Sequence, residues 1–306
     1  KKAVDGKEPP PRDPVHDAPP TGRSPLIVED LLTERAVLKI LRREPEKEPR
    51  VFEIAHLSMQ RAGSNDPWPF TAKLTNPTPP GDIEVEGTFG PWNTGQPSGT
   101  ALGGKYVFRD ADLGVFKGIR GILQSDGAFD GVLERIEVKG TADVPEFALE
   151  AVGQPVPLTT TFTAVVDGTN GNTWLRPVEA TLGESPLTAS GGIVEKDGQK
   201  GRTVTLDIVM SGARIEDVLR LAVKGAEPPM TGALDLKTHF LLPPGERDAI
   251  DKLQLDGTFK IASGRFARGS VQTKMNELSQ KARGEGNSGD PAANVVSNFT
   301  GRFVMK

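Results

Sequence analysis

Apolar and polar residues alternate with period two along most of this chain, and one phrase returns. Ile83-Glu84-Val85-Glu86-Gly87-Thr88-Phe89 and Leu253-Gln254-Leu255-Asp256-Gly257-Thr258-Phe259 are near copies of each other. Ile136-Glu137-Val138-Lys139-Gly140-Thr141-Ala142 and Asn298-Phe299-Thr300-Gly301-Arg302-Phe303 are looser versions. Successive side chains on a strand point to opposite sides, so this alternation predicts strands with one apolar and one wetted face. The predicted strands cover residues 36–42, 51–60, 70–76, 81–89, 104–108, 118–125, 133–144, 147–152, 156–167, 173–182, 187–195, 202–211, 232–242, 252–262 and 295–305. Turn pairs separate them: Asn76-Pro77, Asp126-Gly127, Asp167-Gly168, Asn170-Gly171 and Asp197-Gly198. In 51–59 the alternation slips, with Phe52 and Ile54 out of phase with Leu57 and Met59, which predicts a twist or bulge.

Two segments change period. Ile215, Val218, Leu219 and Ala222 follow helical spacing, as do Val271, Met275, Leu278 and Ala282, with Ser270 ahead and Gly284 behind. Helices are therefore expected within 213–224 and 270–283. Each is amphipathic and either packs on the sheet, closes its end, or acts as a lid or stopper over an apolar groove. Residues 1–25 carry Pro9-Pro10-Pro11 and Pro19-Pro20 and read as a linker or edge crossing.

The apolar parity collects Phe70 and Leu74, then Ile83, Val85 and Phe89, then Ile136 and Val138. It continues with Phe147 and Leu149, Leu158 and Phe162, and Val204, Leu206 and Ile208. Leu234, Leu236 and Phe240 follow, and Leu253, Leu255 and Phe259 close the set. Two sheets pressed together would bury such faces, as in a sandwich. Three features favour an open face instead. There is one Tyr and three Trp to fill a thick core, Thr and small residues share the apolar parity, and two short helices cannot cover so wide a sheet. About fifteen strands stepping ~4.8 Å make a ribbon on the order of 70 Å long. The expected fold is mostly β: an elongated, twisted antiparallel sheet curved into an open apolar groove, with two short amphipathic helices. Acyl chains suit such a surface, because each buried methylene contributes ~0.8 kcal/mol.

Composition narrows the chemistry. The 306 residues hold 36% hydrophobic side chains, 35 Gly and 26 Pro, which suits turn-broken strands with a one-sided core. A net charge of −4 argues against a nucleic-acid partner. Cysteine is absent, which removes disulfides, thiolate metal sites and cysteine nucleophiles. His16, His56 and His239 show no metal-ligand spacing. Asp167-Gly168-Thr169-Asn170-Gly171-Asn172 lacks the glycine and the bidentate Glu of a calcium loop and reads as a turn. Asp110-Ala111-Asp112 reads as a polar turn. Gly284-Glu285-Gly286-Asn287-Ser288-Gly289 follows a helix and precedes a strand, the reverse of a dinucleotide-binding context. No catalytic residue, metal or cofactor is nominated, and an enzyme is not expected.

Several blocks resemble bacterial AsmA-like proteins. They are Gly87-Thr88-Phe89-Gly90-Pro91-Trp92, Tyr106 to Leu113 running on through Phe116-Lys117-Gly118-Ile119 to Ser125-Asp126-Gly127, and Val166 to Gly171. Leu253–Phe259, Leu278–Gly284 and Ser297–Met305 are similar to that family's carboxy-terminal region, a closing unit over 252–306 of a groove region spanning 26–306. The resemblance implies an AsmA/TamB-type envelope protein akin to bridge-like lipid transfer proteins. It implies a periplasmic β-groove carrying phospholipid between inner and outer membrane, tethered by an inner-membrane anchor that this piece lacks. The other expectation is a structural or assembly module that pairs its terminal strand with an envelope partner by β-augmentation.

Overall fold

The structure is a computed structural model. It describes residues 26–40, 50–116, 118–149, 153–196, 201–223, 225, 227–245, 247, 249–267 and 297–305. The first strands are β1 (Val28–Ile40), β2 (Arg50–Ala62), β3 (Trp68–Pro77), β4 (Pro80–Phe89) and β5 (Ala101–Asp112). Next come β6 (Ile119–Arg120), β7 (Ile122–Val132), β8 (Arg135–Leu149), β9 (Val156–Val166), β10 (Thr173–Leu182), β11 (Ser185–Glu195) and β12 (Arg202–Arg214). Helix α1 (Ile215–Ala222) precedes β13 (Met230–Leu242), and the single turn α2 (Ala249–Lys252) precedes β14 (Gln254–Phe266) and β15 (Ser297–Met305).

The protein is mostly β. Its strands form one open antiparallel sheet, each pairing with the next in chain order, while the two-residue β6 pairs with β8 off that path. Local sequence explains this connectivity. Turns as short as Thr78-Pro79 and Gly183-Glu184 return the chain at once, so sequential antiparallel pairing is the only neighbour in reach. In β4, half-buried Ile83, Val85 and Phe89 alternate with exposed Asp82, Glu84 and Glu86, as period two requires.

The slip in 51–59 is a bulge. Ile54 pairs with Leu74 and His56 with Lys73, so Ala55 is passed over. Phe52 and Ile54 thereby join Leu57 and Met59 on one face.

The strand boundaries need correction in places. β1 begins at Val28 rather than residue 36, because Leu31-Leu32 and Val37-Leu38 put apolar side chains on both parities and blur the alternation. Asp126-Gly127 is not a turn but the middle of β7, paired with Val107 and Tyr106 on one side and Thr141 and Gly140 on the other. The strand expected at 147–152 is the far end of β8, reached across a register shift between Val144 and Phe147. Asp110-Ala111-Asp112 ends β5, with Ala111 fully buried, rather than forming a turn. Leu253 lies just ahead of β14, after the α2 turn. Of the expected helices, α1 occupies the inner part of 213–224. The second, at 270–283, lies outside the described residues, as do residues 1–25, Asp197-Gly198 and Gly284–Gly289.

Candidate functional site

Cross-strand register aligns the apolar positions in rows. Leu74, Ile83 and Phe108 make one row, and Leu187, Met210, Leu236 and Phe259 another. Gly191, Leu206, Phe240 and Leu255 make a third. Ile136 pairs with Val166, Val138 with Ala164, and Gly140 with Phe162, while Phe147 pairs with Val156 across the bulge. The sequence-predicted set therefore shares one side of the sheet.

Their burial separates two packings. Of the twenty predicted positions, Leu234 alone is buried, at 2% exposure, and the others remain half-buried. A second layer would have taken Phe70, Phe89, Phe162 and Phe240 out of solvent altogether. Side-chain neighbours within the same sheet shade them only in part.

Gly140, Gly257 and Gly301 of the recurring phrase, with Gly127 of β7, share a role that alternation does not show, whereas a Cβ on Gly87 would meet only the Gly103 and Gly104 backbone. A Cβ on Gly257 would stand 2.8 Å from the Phe303 ring, and one on Gly301 would stand 2.8 Å from the Phe259 ring. On Gly127 and Gly140 it would meet the Tyr106 ring carbon and hydroxyl at 3.0 and 2.9 Å. Each glycine leaves a gap on the apolar side, and an aromatic ring from the same side lies over it. The rings then pair among themselves, as Phe259 does with Phe303 at 6.4 Å and Phe266 with Phe299 at 6.0 Å.

Tyr106 is the one phenol in the chain. Its hydroxyl is 3.1 Å from Ser125 Oγ, which donates to the Thr141 carbonyl at 2.7 Å. Burial pushes the phenol up from its usual range, while the Ser125 contact pulls the other way.

Helix α1 packs on a buried apolar cluster. Ile215 is buried with Met210, Ala213, Leu234 and Ile261, and Val218 and Leu219 pack against them. Polar contacts tie the helix down along its length. Asp217, 1% exposed, accepts from Ser185 Oγ at 2.7 Å and from the Glu184 amide at 3.1 Å, in the turn between β10 and β11. Gly183 of that turn has φ +64, and a Cβ there would strike the Asp217 carboxylate at 2.8 Å. Glu216 accepts from the Gly232 amide at 3.2 Å and from Arg214 Nε at 3.0 Å. Arg214 also pairs with Glu184, and these two carboxylates hold its guanidinium charged beyond the usual range. The Arg220 carbonyl accepts from the Gln154 amide at 2.7 Å, ahead of β9.

The opposite side is charged over much of its area, although Val165, Val194 and Thr203 are buried on it. Lys73 pairs with Glu84 at 2.6 Å, His239 with Asp207 at 2.9 Å, and Arg302 with Asp256 at 2.9 Å. Glu137, beside Lys139 and Arg176, is held below the usual carboxylate range, chiefly by its Lys139 hydrogen bond. A depression of about 620 Å³ lies on this polar side, lined by His56, Lys73, Glu84, Glu86, Lys105 and Asp126. Its charges alternate in sign and point to no one ligand class. Among the described residues no cluster of His, Asp or Glu has metal-binding geometry, and no helix is long and apolar enough to cross a membrane. Asp167 accepts from the Thr169 amide at 2.9 Å and from Asn170 Nδ2 at 2.7 Å, which closes the loop on itself as a turn.

Searches of family models, curated proteins and solved structures returned no match to this chain.

Proposed function

We propose that this chain is the lipid-binding groove of an AsmA-like envelope protein, holding phospholipid acyl chains between the inner and outer membrane. The observation that carries this reading is the apolar side of a fifteen-strand sheet, on which nineteen of the twenty predicted positions stay only half-buried, beside buried neighbours such as Val156, Ala164 and Met210. Exposed apolar surface of this extent is costly unless something covers it, and soluble proteins seldom leave large apolar patches bare. Acyl chains match it better than a polar ligand, because the side that would face the ligand carries few hydrogen-bonding groups and Tyr106 spends its own on Ser125.

In this reading the sheet curves with its apolar side inward, and α1 bridges strand ends at one rim, where Glu216 accepts from the start of β13 and Arg220 from the chain entering β9. Head groups then stay in water at the rim. In this reading the groove stands in the periplasm.

A second reading rests on the sheet's ends. Among the described residues β1 and β15 stand at the two ends of the ladder, and Val304 is 54% exposed. Pairing of β15 with a partner's strand would make the chain an assembly module.

The test is direct. Phe162→Asp with Leu236→Asp places two charges on the apolar side, and uptake of fluorescent phospholipid from vesicles should fall at least about tenfold. Wild-type protein that neither co-purifies with lipid nor takes up the probe overturns the reading, as does a double variant that binds like wild type. Small-angle scattering adds shape: an elongated particle fits the trough, and a compact one fits a closed sandwich.

A further inference from the structure

The helix rests on the same surface that an acyl chain would use. Ile215, Val218 and Leu219 cover Met210, Leu234 and Ile261, so at the rim of β12 to β14 the apolar side already has an occupant from its own chain. The mode of attachment differs from ordinary helix packing. Two carboxylates, Glu216 and Asp217, are buried at 8% and 1% exposure and rest on a handful of hydrogen bonds. Well-packed apolar side chains would hold a helix at least as firmly, since dehydrating a charge offsets most of what its partners return. A polar attachment has another property. It opens as a unit, because a carboxylate that leaves its donors regains full hydration.

The connections allow this. Asp217 binds the β10–β11 turn through Ser185 and Glu184 and pairs with Arg220 of its own helix, Glu216 binds the first residues of β13 and Arg214, and the Arg220 carbonyl accepts from Gln154 ahead of β9. None of these is a ladder hydrogen bond. Residues 223–229 join the helix to β13, so α1 can leave the sheet while β12 and β13 stay paired from Val204 to Met210.

Resting on the lipid reading above, we propose that α1 is an autoinhibitory plug. It occupies the β12–β14 stretch of the apolar side in place of acyl chains, and it yields when the Asp217 and Glu216 contacts open. Loading therefore begins on the uncovered strands and extends under α1 only when the latch is released.

Two variants of the full chain test this. The chain has no cysteine, so Gln154→Cys with Arg220→Cys provides one designed disulfide. The 2.7 Å backbone contact between these residues brings their Cα atoms near the ~6 Å that a disulfide spans. Ser185→Ala with Asp217→Asn releases the latch. The probe is NBD-labelled phosphatidylethanolamine in phosphatidylglycerol vesicles. The locked protein should take up about threefold less probe when oxidised than when reduced, and the unlatched one about threefold more than wild type. Amides of 215–222 should exchange at least about tenfold faster in the unlatched variant, with β10 to β13 unchanged. Equal uptake by oxidised and reduced protein, or unchanged exchange in 215–222, overturns the plug. Should no form bind phospholipid, the lipid reading fails by itself. Binding of an apolar dye then decides the plug: uptake that rises on unlatching and falls on oxidation upholds it, and constant uptake refutes it.

Discussion

The strands around α1 and the strands β3 and β4 share one sheet and one alternation, yet their large apolar side chains reach different degrees of burial. Around α1, Met210, Ala213, Ile215, Leu234 and Ile261 form a dry cluster. Across β3 and β4, Phe70, Leu74, Ile83, Val85 and Phe89 stay half-buried under the same pattern. The difference is a helix of eight residues. Alternation thus sets which side of a sheet is apolar, and what lies over that side decides whether it becomes a core or a surface awaiting an occupant.

Substitutions should expose this contrast. Leu234→Ala leaves a cavity under α1 and should cost about 2–5 kcal/mol in urea unfolding. Leu74→Ala, on the open stretch, removes less buried surface and should cost clearly less. Equal losses would mean the two stretches are equally covered. Gly257→Val drives a side chain into Phe303 and the Lys237 carbonyl and should cost about 1–3 kcal/mol. Asp217→Asn should cost about 1–3 kcal/mol, because the amide loses the charge that Ser185 Oγ and the Glu184 amide complement. Protection from exchange should drop in 215–222 and hold in β4 and β5.

The smallest effect is spectroscopic. Ultraviolet titration of Tyr106, the single tyrosine, should show a midpoint above 10 in the folded protein and near 10 in denaturant. The sign follows from the raised folded value. The unfolded chain releases its phenolic proton first, so this group's share of stability is complete below pH 10 and declines as pH rises through the folded midpoint. Bound acyl chains would dehydrate the ring further and raise the midpoint again.

Much of the fold was legible in the sequence, because period two reports the face directly. Even the slip in 51–59 pointed to a twist or bulge, and the register there is a bulge. The misreadings share a cause. Asp126-Gly127 carries turn chemistry, but a Cβ on Gly127 would strike the Lys139 carbonyl and the Tyr106 ring, a constraint set by the two strands that pair with β7. β1 hides its first half because both its parities are apolar, as at Leu31 and Leu32, so no alternation marks it. The helical spacing of Ile215, Val218 and Leu219 revealed α1. Its anchors, Asp217 with Ser185 and Glu216 with Gly232, pair residues 32 and 16 apart in sequence, and no local pattern brings them together. A buried acidic pair opening an amphipathic helix was the available signal.

The most direct test uses two adjacent residues on opposite sides of β4. A photo-reactive benzophenone amino acid replaces Val85, half-buried on the apolar side, or Glu84, exposed on the polar one. Irradiated with radiolabelled phospholipid, the Val85 derivative should capture lipid and the Glu84 derivative should not. Equal labelling at both positions, or none at either, would contradict the groove.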